Sequence, residues 1–128
     1  GGIIPFHYAI LPHGTYDPIV ANRFGLEQNR PLIVVSVNKN PIEKSLIAID
    51  NPSIFISTLK PAEDGKATIL RLRSISDKPE TVKLSFPAGA PKSVKLSDPT
   101  EVIGTEINKS ISLLPFGVIT LRMEFDLN

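Results

Sequence analysis

Three runs of residues in one stretch decide the fold: Ser53–Leu59 (SIFISTL), Ala67–Arg73 (ATILRLR) and Glu80–Phe86 (ETVKLSF). The turn Lys60–Lys66 (KPAEDGK) joins the first two, and Ser76–Pro79 (SDKP) precedes the third. Apolar and polar side chains alternate along each run, or nearly so, with the period of a pleated strand that has one buried face. Because tight turns join antiparallel neighbours, the stretch predicts an antiparallel meander.

Alternation continues in the second half of the chain, where successive apolar side chains should share a buried face. These sets are Val82, Leu84 and Phe86, then Val94 and Leu96, then Ile119, Leu121, Met123 and Phe125. The side chains between them, including Thr120 and Arg122, should face solvent. Strands with one dry face pack those faces together, and turn signals recur about every 8 to 12 residues. The sequence therefore predicts an all-β fold, a two-sheet antiparallel β-sandwich.

The first fifty residues mix strand and helix signals. Ile3–Leu11 is apolar and predicts a first strand, and Leu46–Ile49 predicts a short one. Asp17 before a proline is typical of a helix start, so one short helix is expected over Asp17–Gln28, ending before Pro31. The β-branched run Leu32–Val37 predicts a strand buried on both sides.

Length, composition and charge exclude several classes of protein. The chain has 128 residues, which we interpret as a single domain over 1–128, with 41% hydrophobic and 21% charged residues. Fourteen Lys and Arg balance thirteen Asp and Glu, so no charge excess favours nucleic acid or a membrane surface. No apolar run approaches the roughly 20 residues of a transmembrane helix. Twelve prolines favour short strands with many turns, and the absence of Cys excludes disulfides.

The start of the chain has no signal-peptide pattern and no initiator Met. Gly1 and Gly2 are consistent with a cloning scar. We therefore expect a fragment or processed chain, and the compartment is not predicted.

Candidate chemistry is sparse. His7 and His13, with Asp17 as the nearest third ligand, match no metal motif, so structural roles are favoured. Adjacent Glu63 and Asp64 lie in a turn, whereas a glycosidase needs carboxyl groups about 5 to 9.5 Å apart on either side of a sugar. No nucleophile elbow or phosphate-binding glycine loop is present. No catalytic, cofactor-binding or metal-ligating residue is therefore assigned in the chain.

Arginines and aromatic residues leave alternatives open. Three arginines lie in predicted strands: Arg71, Arg73 and Arg122. Each can face solvent, form a salt bridge across the sheet, or dock onto another domain, and the first two of these roles are favoured. Aromatic residues make up 6% of the chain, with no Trp, which weakens the case for a free-standing sugar-binding module.

Several segments, in order along the chain, carry a family resemblance. They are Phe6–Gly14 (FHYAILPHG) with Asn29–Leu32 (NRPL); Thr58–Gly65 (TLKPAEDG) with Ile69–Leu72 (ILRL); Ser76–Pro79 (SDKP) before Thr81–Phe86; and Leu113–Phe116 (LLPF) before Val118–Arg122 (VITLR). Together they resemble the C-terminal β domain of glycoside hydrolase family 38, the α-mannosidases. Gly117 departs from the acidic residue that is usual there, so an ion pair at that point is absent.

The resemblance implies a non-catalytic part of a larger enzyme. Family members are retaining exo-α-mannosidases that act on mannose-containing glycans, with zinc and an Asp nucleophile in an N-terminal β/α domain. None of those motifs falls on this chain, which by the resemblance serves as scaffold, packs against the catalytic and middle domains and is able to form part of the active-site wall. We expect an exposed apolar patch larger than a few hundred Å². The alternative is an autonomous carbohydrate-binding or immunoglobulin-like interaction module.

Overall fold

The computed structural model describes residues 2–30, 32–38, 44–107 and 110–126. The chain divides into two compact units, residues 1–38 and residues 39–128. All the strands of the described residues lie in the second unit. That the whole chain forms one domain stays a prediction.

The first unit contains helix α1, Pro18–Asn29. Asp17 caps it, because its side chain accepts hydrogen bonds from the backbone N–H of Ile19 at 2.8 Å and of Val20 at 3.3 Å. The proline at the first helical position lacks only an N–H that the helix would leave unpaired. The predicted short helix is confirmed. Pro31, before which it was expected to end, lies outside the described residues.

Two strands predicted in the first unit are wrong. Ile3–Leu11 and Leu32–Val37 contain no strand, and Leu32–Val37, predicted to be buried on both sides, is exposed throughout. A strand requires a neighbour to complete its hydrogen-bond ladder, and neither segment has one among the described residues of this unit. No described residue between 2 and 38 is buried, so these apolar segments have no core of their own.

The second unit contains eight strands among its described residues. They are β1 (Ala48–Ile49), β2 (Ile54–Pro61), β3 (Thr68–Ser74), β4 (Glu80–Ser85), β5 (Ser93–Ser97), β6 (Ile103–Glu106), β7 (Ser110–Leu113) and β8 (Val118–Glu124). They form a three-stranded sheet of order β1-β4-β7 and a five-stranded sheet of order β2-β3-β8-β5-β6, antiparallel throughout. The predicted all-β architecture is confirmed, and the strand expected over Leu46–Ile49 shortens to β1.

The third strand of the predicted meander is wrong. β2 and β3 pair as expected, with Ile54 opposite Ser74 and Pro61 opposite Thr68. β4 leaves that sheet and pairs with β1 and β7 instead. The free edge of β3 is filled by β8, which returns from the other end of the sequence. Local alternation predicts a strand and its buried face, but it does not determine which sheet the strand joins.

The core lies between the two sheets and contains five of the nine side chains predicted for it; the other four are partly buried and pack against it: Phe86, Leu96, Ile119 and Phe125. Val82, Leu121 and Met123 are fully buried, and Leu84 and Val94 are nearly so. The rest of the buried cluster comes from both sheets: Ile47, Ile54, Leu70, Leu72, Ile111 and Leu113. Burial of these side chains is the main stabilising contribution to such a fold.

No helix among the described residues is long and apolar enough to cross a membrane.

Candidate functional site

The turn between β2 and β3 carries Glu63 and Asp64, the adjacent carboxylates that were weighed as glycosidase catalytic groups. Gly65 adopts a φ of 68°, a left-handed conformation that favours glycine, and the turn closes through a hydrogen bond from Ala62 N to Ala67 O at 2.8 Å. The Asp64 carboxylate accepts a hydrogen bond from Lys66 N at 3.0 Å. Its other oxygen faces the sheet.

Arg122 lies in β8 and is the hydrogen-bond donor to that second oxygen. Its Nη2 donates to Asp64 Oδ2 at 2.7 Å. The arginine side chain is only 5% exposed, although it alternates with the core residues and was predicted to face solvent. Its Nε lies 3.7 Å from Glu124 Oε1, too far for a hydrogen bond, and has no other hydrogen-bond partner among the described residues. The solvent-facing prediction for Arg122 is therefore wrong, because the turn folds back over this side chain.

Glu101, in the loop between β5 and β6, fastens the same turn from a second direction. Its Oε2 accepts a hydrogen bond from the backbone N–H of Glu63 at 2.8 Å. Its Oε1 lies 2.5 Å from Lys60 Nζ, near the end of β2. Glu101 has a φ of 67°, unusual for a non-glycine residue, so the loop is held in a sparsely populated conformation where these contacts form.

We call these residues the Arg122 cluster, consisting of Lys60, Glu63, Asp64, Glu101, Arg122 and Glu124. Glu101 was not among the residues predicted from sequence, because it lies 41 residues from Lys60 and follows no motif. No local pattern could have identified it, because only the fold brings the two loops together.

The electrostatics of the Arg122 cluster indicate a structural role. The hydrogen bond from Arg122 holds the pKa of Asp64 below its usual range, helped by the Lys66 N–H. The hydrogen bonds from Lys60 and from Glu63 N likewise lower the pKa of Glu101. A glycosidase general acid needs a raised pKa, so that it holds its proton near neutral pH. Asp64 and Glu101 have the opposite property and are occupied by internal partners.

Acid should loosen the turn. A carboxylate whose folded pKa is lowered contributes stability above its unfolded value of about 4, and that contribution is lost as the pH falls through the folded pKa. We expect Asp64→Asn and Glu101→Gln each to lower the urea midpoint at neutral pH and to flatten its fall in acid. Glu63→Gln, which changes an exposed side chain and keeps the backbone contact, is the matched control. An acid dependence identical in all four proteins would contradict this assignment.

The other two strand arginines have structural or solvent-facing roles. Arg71 Nε donates to Thr120 Oγ1 at 3.1 Å across the β3–β8 pair, and Thr120 is buried rather than solvent-facing as predicted. Arg73 is exposed. Of the two alternatives favoured from sequence, Arg73 faces solvent and Arg122 forms a salt bridge with Asp64, whereas Arg71 is half-buried and donates to the Thr120 hydroxyl instead.

The histidines form no recognisable metal site. His13 Nδ1 lies 3.1 Å from Gly14 O, and its ring packs edge-on against Tyr16 with centroids 6.2 Å apart. Asp17, the suggested third ligand, caps the helix. In the described part of the chain, no group of three or more His, Cys, Asp or Glu side chains is placed to hold a metal ion.

A pocket of about 270 Å³ lies beside helix α1 in the first unit, lined by residues that include Leu11, Tyr16, Val20 and Phe24. A more polar pocket of about 580 Å³ lies along the same helix and includes His7 and Tyr8. Neither contains a pair of carboxylates, so neither has the residues of a glycosidase active site.

The chain is similar to a solved structure over part of its length. A crystal structure of an apo exo-carrageenase GH42 from Bacteroides ovatus is similar at 22% identity with a TM-score of 0.45. The match covers 63% of this chain and 11% of the carrageenase chain, so the chain spans a small part of that protein. No curated protein matches.

The family model for the glycosyl hydrolases family 38 C-terminal beta sandwich domain matches residues 53–121, more than half of the chain. The matched residues include seven of the eight strands or parts of them, the Glu63–Asp64 turn and Glu101. By its sequence and its β-sandwich, the chain belongs to the glycosyl hydrolase family 38 C-terminal β-sandwich domains.

Proposed function

We propose that the chain is the non-catalytic C-terminal domain of an α-mannosidase that hydrolyses terminal α-mannosides of glycans. The observation that carries the proposal is the family match over residues 53–121. In this proposal, the domain serves as a scaffold for a zinc-dependent catalytic domain elsewhere in the parent chain. Zinc would be held by that domain, and no residue of this chain is assigned to it.

The chemistry of the domain supports a scaffold role. The Glu63–Asp64 turn, which offered the most plausible acid chemistry in the sequence, is fastened by Arg122 and Glu101. Asp64 and Glu101 are ionised at neutral pH, since both pKa values are lowered. Such groups stabilise a turn well, but they do not donate a proton to a leaving group.

The distribution of exposed apolar side chains supports packing against other parts of the parent. Of twenty large hydrophobic side chains that are exposed among the described residues, thirteen lie between residues 3 and 37. Monomeric proteins rarely expose large contiguous apolar areas, which mark interaction sites. That these side chains form one patch larger than a few hundred Å² stays a prediction.

Assays of the 128-residue chain and of its full-length parent with an aryl α-mannoside test the proposal. We expect turnover from the parent that is lost on zinc chelation and restored by added zinc, and none from the chain alone. Turnover that stays with the carefully purified chain would overturn the non-catalytic role. A parent that hydrolyses another glycoside and leaves α-mannosides intact would overturn the substrate class.

A second candidate, a sugar-binding module, is favoured by the exposure of Phe6, Tyr8 and Tyr16. Exposed aromatic rings are surfaces on which sugars can stack. A glycan array separates the two candidates. Specific sub-millimolar binding by the isolated chain, lost in Tyr8→Ala or Tyr16→Ala, would favour the module. Absence of binding, together with zinc-dependent turnover by the parent, favours the scaffold.

A further inference from the structure

Residues 32–37, with the sequence LIVVSV, combine strong strand character with high exposure, which is lowest at Val37, at 59%. Leu32, Ile33 and Val34 are 95%, 89% and 94% exposed. Branched side chains of this kind fit a pleated, packed surface and are enriched in strands. The segment has no strand partner among the described residues of its unit. Its side chains and its backbone therefore both lack the environment that such a sequence requires.

The pattern of the segment indicates which environment that is. In an extended chain, alternate side chains point to opposite faces, so Leu32 and Val34 would share one face, and Ile33, Val35 and Val37 the other. Both faces are apolar, with Ser36 as the exception, and the segment carries no charge. A strand at a solvated surface alternates apolar and polar residues. A strand that is apolar on both faces belongs inside a sheet that is covered on both sides.

We propose that residues 32–37 form a strand by adding to a β-sheet in the part of the parent glycosyl hydrolase that lies outside this chain. Backbone N–H and C=O groups would complete a ladder with the receiving strand, and the two apolar faces would be covered by that part's own layers. The proposal rests on the attachment of the domain to a larger glycosyl hydrolase and not on mannoside specificity.

Family membership and the exposed apolar side chains favour this occupant. The family is described as a C-terminal domain of glycosyl hydrolases, so another part of the same polypeptide can act as the partner. Thirteen large hydrophobic side chains between residues 3 and 37 are exposed in the described part of the chain. Exposed apolar surface of this kind marks interaction sites rather than free surface.

Amide hydrogen exchange tests the proposal directly. We expect the amides of residues 32–37 to exchange on the order of a hundredfold or more slowly in the full-length parent than in the 128-residue chain. The amide of Leu121, on the central strand β8, should be protected in both proteins and is the internal control. Equally fast exchange of residues 32–37 in both proteins would overturn the proposal. Protection in the isolated chain that rises with protein concentration would overturn it in favour of pairing between two copies.

A pair of substitutions at one position separates ladder pairing from side-chain burial. Val34→Pro removes a backbone donor, whereas Val34→Thr keeps the β-branched shape and the donor. We expect Val34→Pro to abolish the protection of residues 32–37 in the parent and to lower its Tm, and Val34→Thr to retain most of the protection. Neither should change the Tm of the isolated chain, where Val34 is exposed. Equal protection in both parent variants would overturn the ladder.

The outcome is distinguishable from failure of the proposed function. Protection of residues 32–37 in a parent that does not hydrolyse α-mannosides would support the strand and remove the substrate class. Hydrolysis of α-mannosides by a parent in which these amides exchange freely would support the substrate class and overturn the strand.

Discussion

Leu121→Ala should lower the free energy of unfolding of the isolated chain by about 3 to 5 kcal/mol. Leu121 is fully buried on β8, directly opposite Leu70 of β3 on one side and Leu96 of β5 on the other. Truncation removes the apolar contacts of the side chain and leaves a cavity, because neighbouring strands of the same sheet cannot collapse into it. The loss is large compared with the 5 to 15 kcal/mol of total stability that is typical of a domain.

Leu114→Ala is the matched control for this substitution. The same atoms are removed, but Leu114 is 75% exposed, so the change should lie within about 0.5 kcal/mol of zero. Urea unfolding followed by far-UV circular dichroism measures both variants, since the chain has no Trp for fluorescence. Equal effects of the two substitutions would mean that Leu121 is not part of the core.

Gly117→Ala should be the second most damaging substitution, with a loss of about 1 to 3 kcal/mol. A Cβ at this position would lie 2.8 Å from Leu114 O and 3.2 Å from Leu114 N. Both are backbone atoms that cannot rotate away. The turn is also constrained from both sides, since Gly117 N donates to Leu114 O at 2.9 Å and Phe116 has a φ of 52°. The departure from an acidic residue at this position therefore accompanies a close backbone approach.

Gly25→Ala provides the contrasting control. Gly25 lies inside helix α1, and apart from the adjoining residues and the backbone of the helix itself, no described atom lies within 4 Å of the position of an added Cβ. Alanine favours a helix over glycine by about 1 kcal/mol, so this substitution should increase helix content. Circular dichroism and urea unfolding of both variants form the measurement. A Gly117→Ala protein as stable as the unsubstituted 128-residue chain would show that the turn relaxes without loss of folding free energy.

The sandwich could be predicted from sequence because its strands follow local rules. Alternation in Glu80–Phe86 identified a strand and its buried face, and Val82 and Leu84 are buried as expected. The partner of that strand was beyond reach, because β4 pairs with β7, some thirty residues later in the chain. Strand pairing between distant residues depends on the packing of the whole domain and leaves no signature in a short window.

Local rules failed where a polar side chain is covered by distant loops. Arg122 alternates with Leu121 and Met123, which places it correctly on the opposite face of β8. Its partner Asp64 lies in the turn between β2 and β3, and Glu101 fastens that turn from a second loop. The turn chemistry of Glu63 and Asp64 was predicted, but the partners that fasten the turn were not.

The sheet order has a consequence for how the protein is made. β8, which is central in the five-stranded sheet, follows all the other strands in the sequence. During synthesis, β2 with β3 and β5 with β6 can form as separate hairpins, but the position between them stays empty until residues 118–124 leave the ribosome. Closure of this sheet therefore waits for the last of its strands, and a nascent chain stalled before Val118 exposes two unpaired inner edges to chaperones and to other chains.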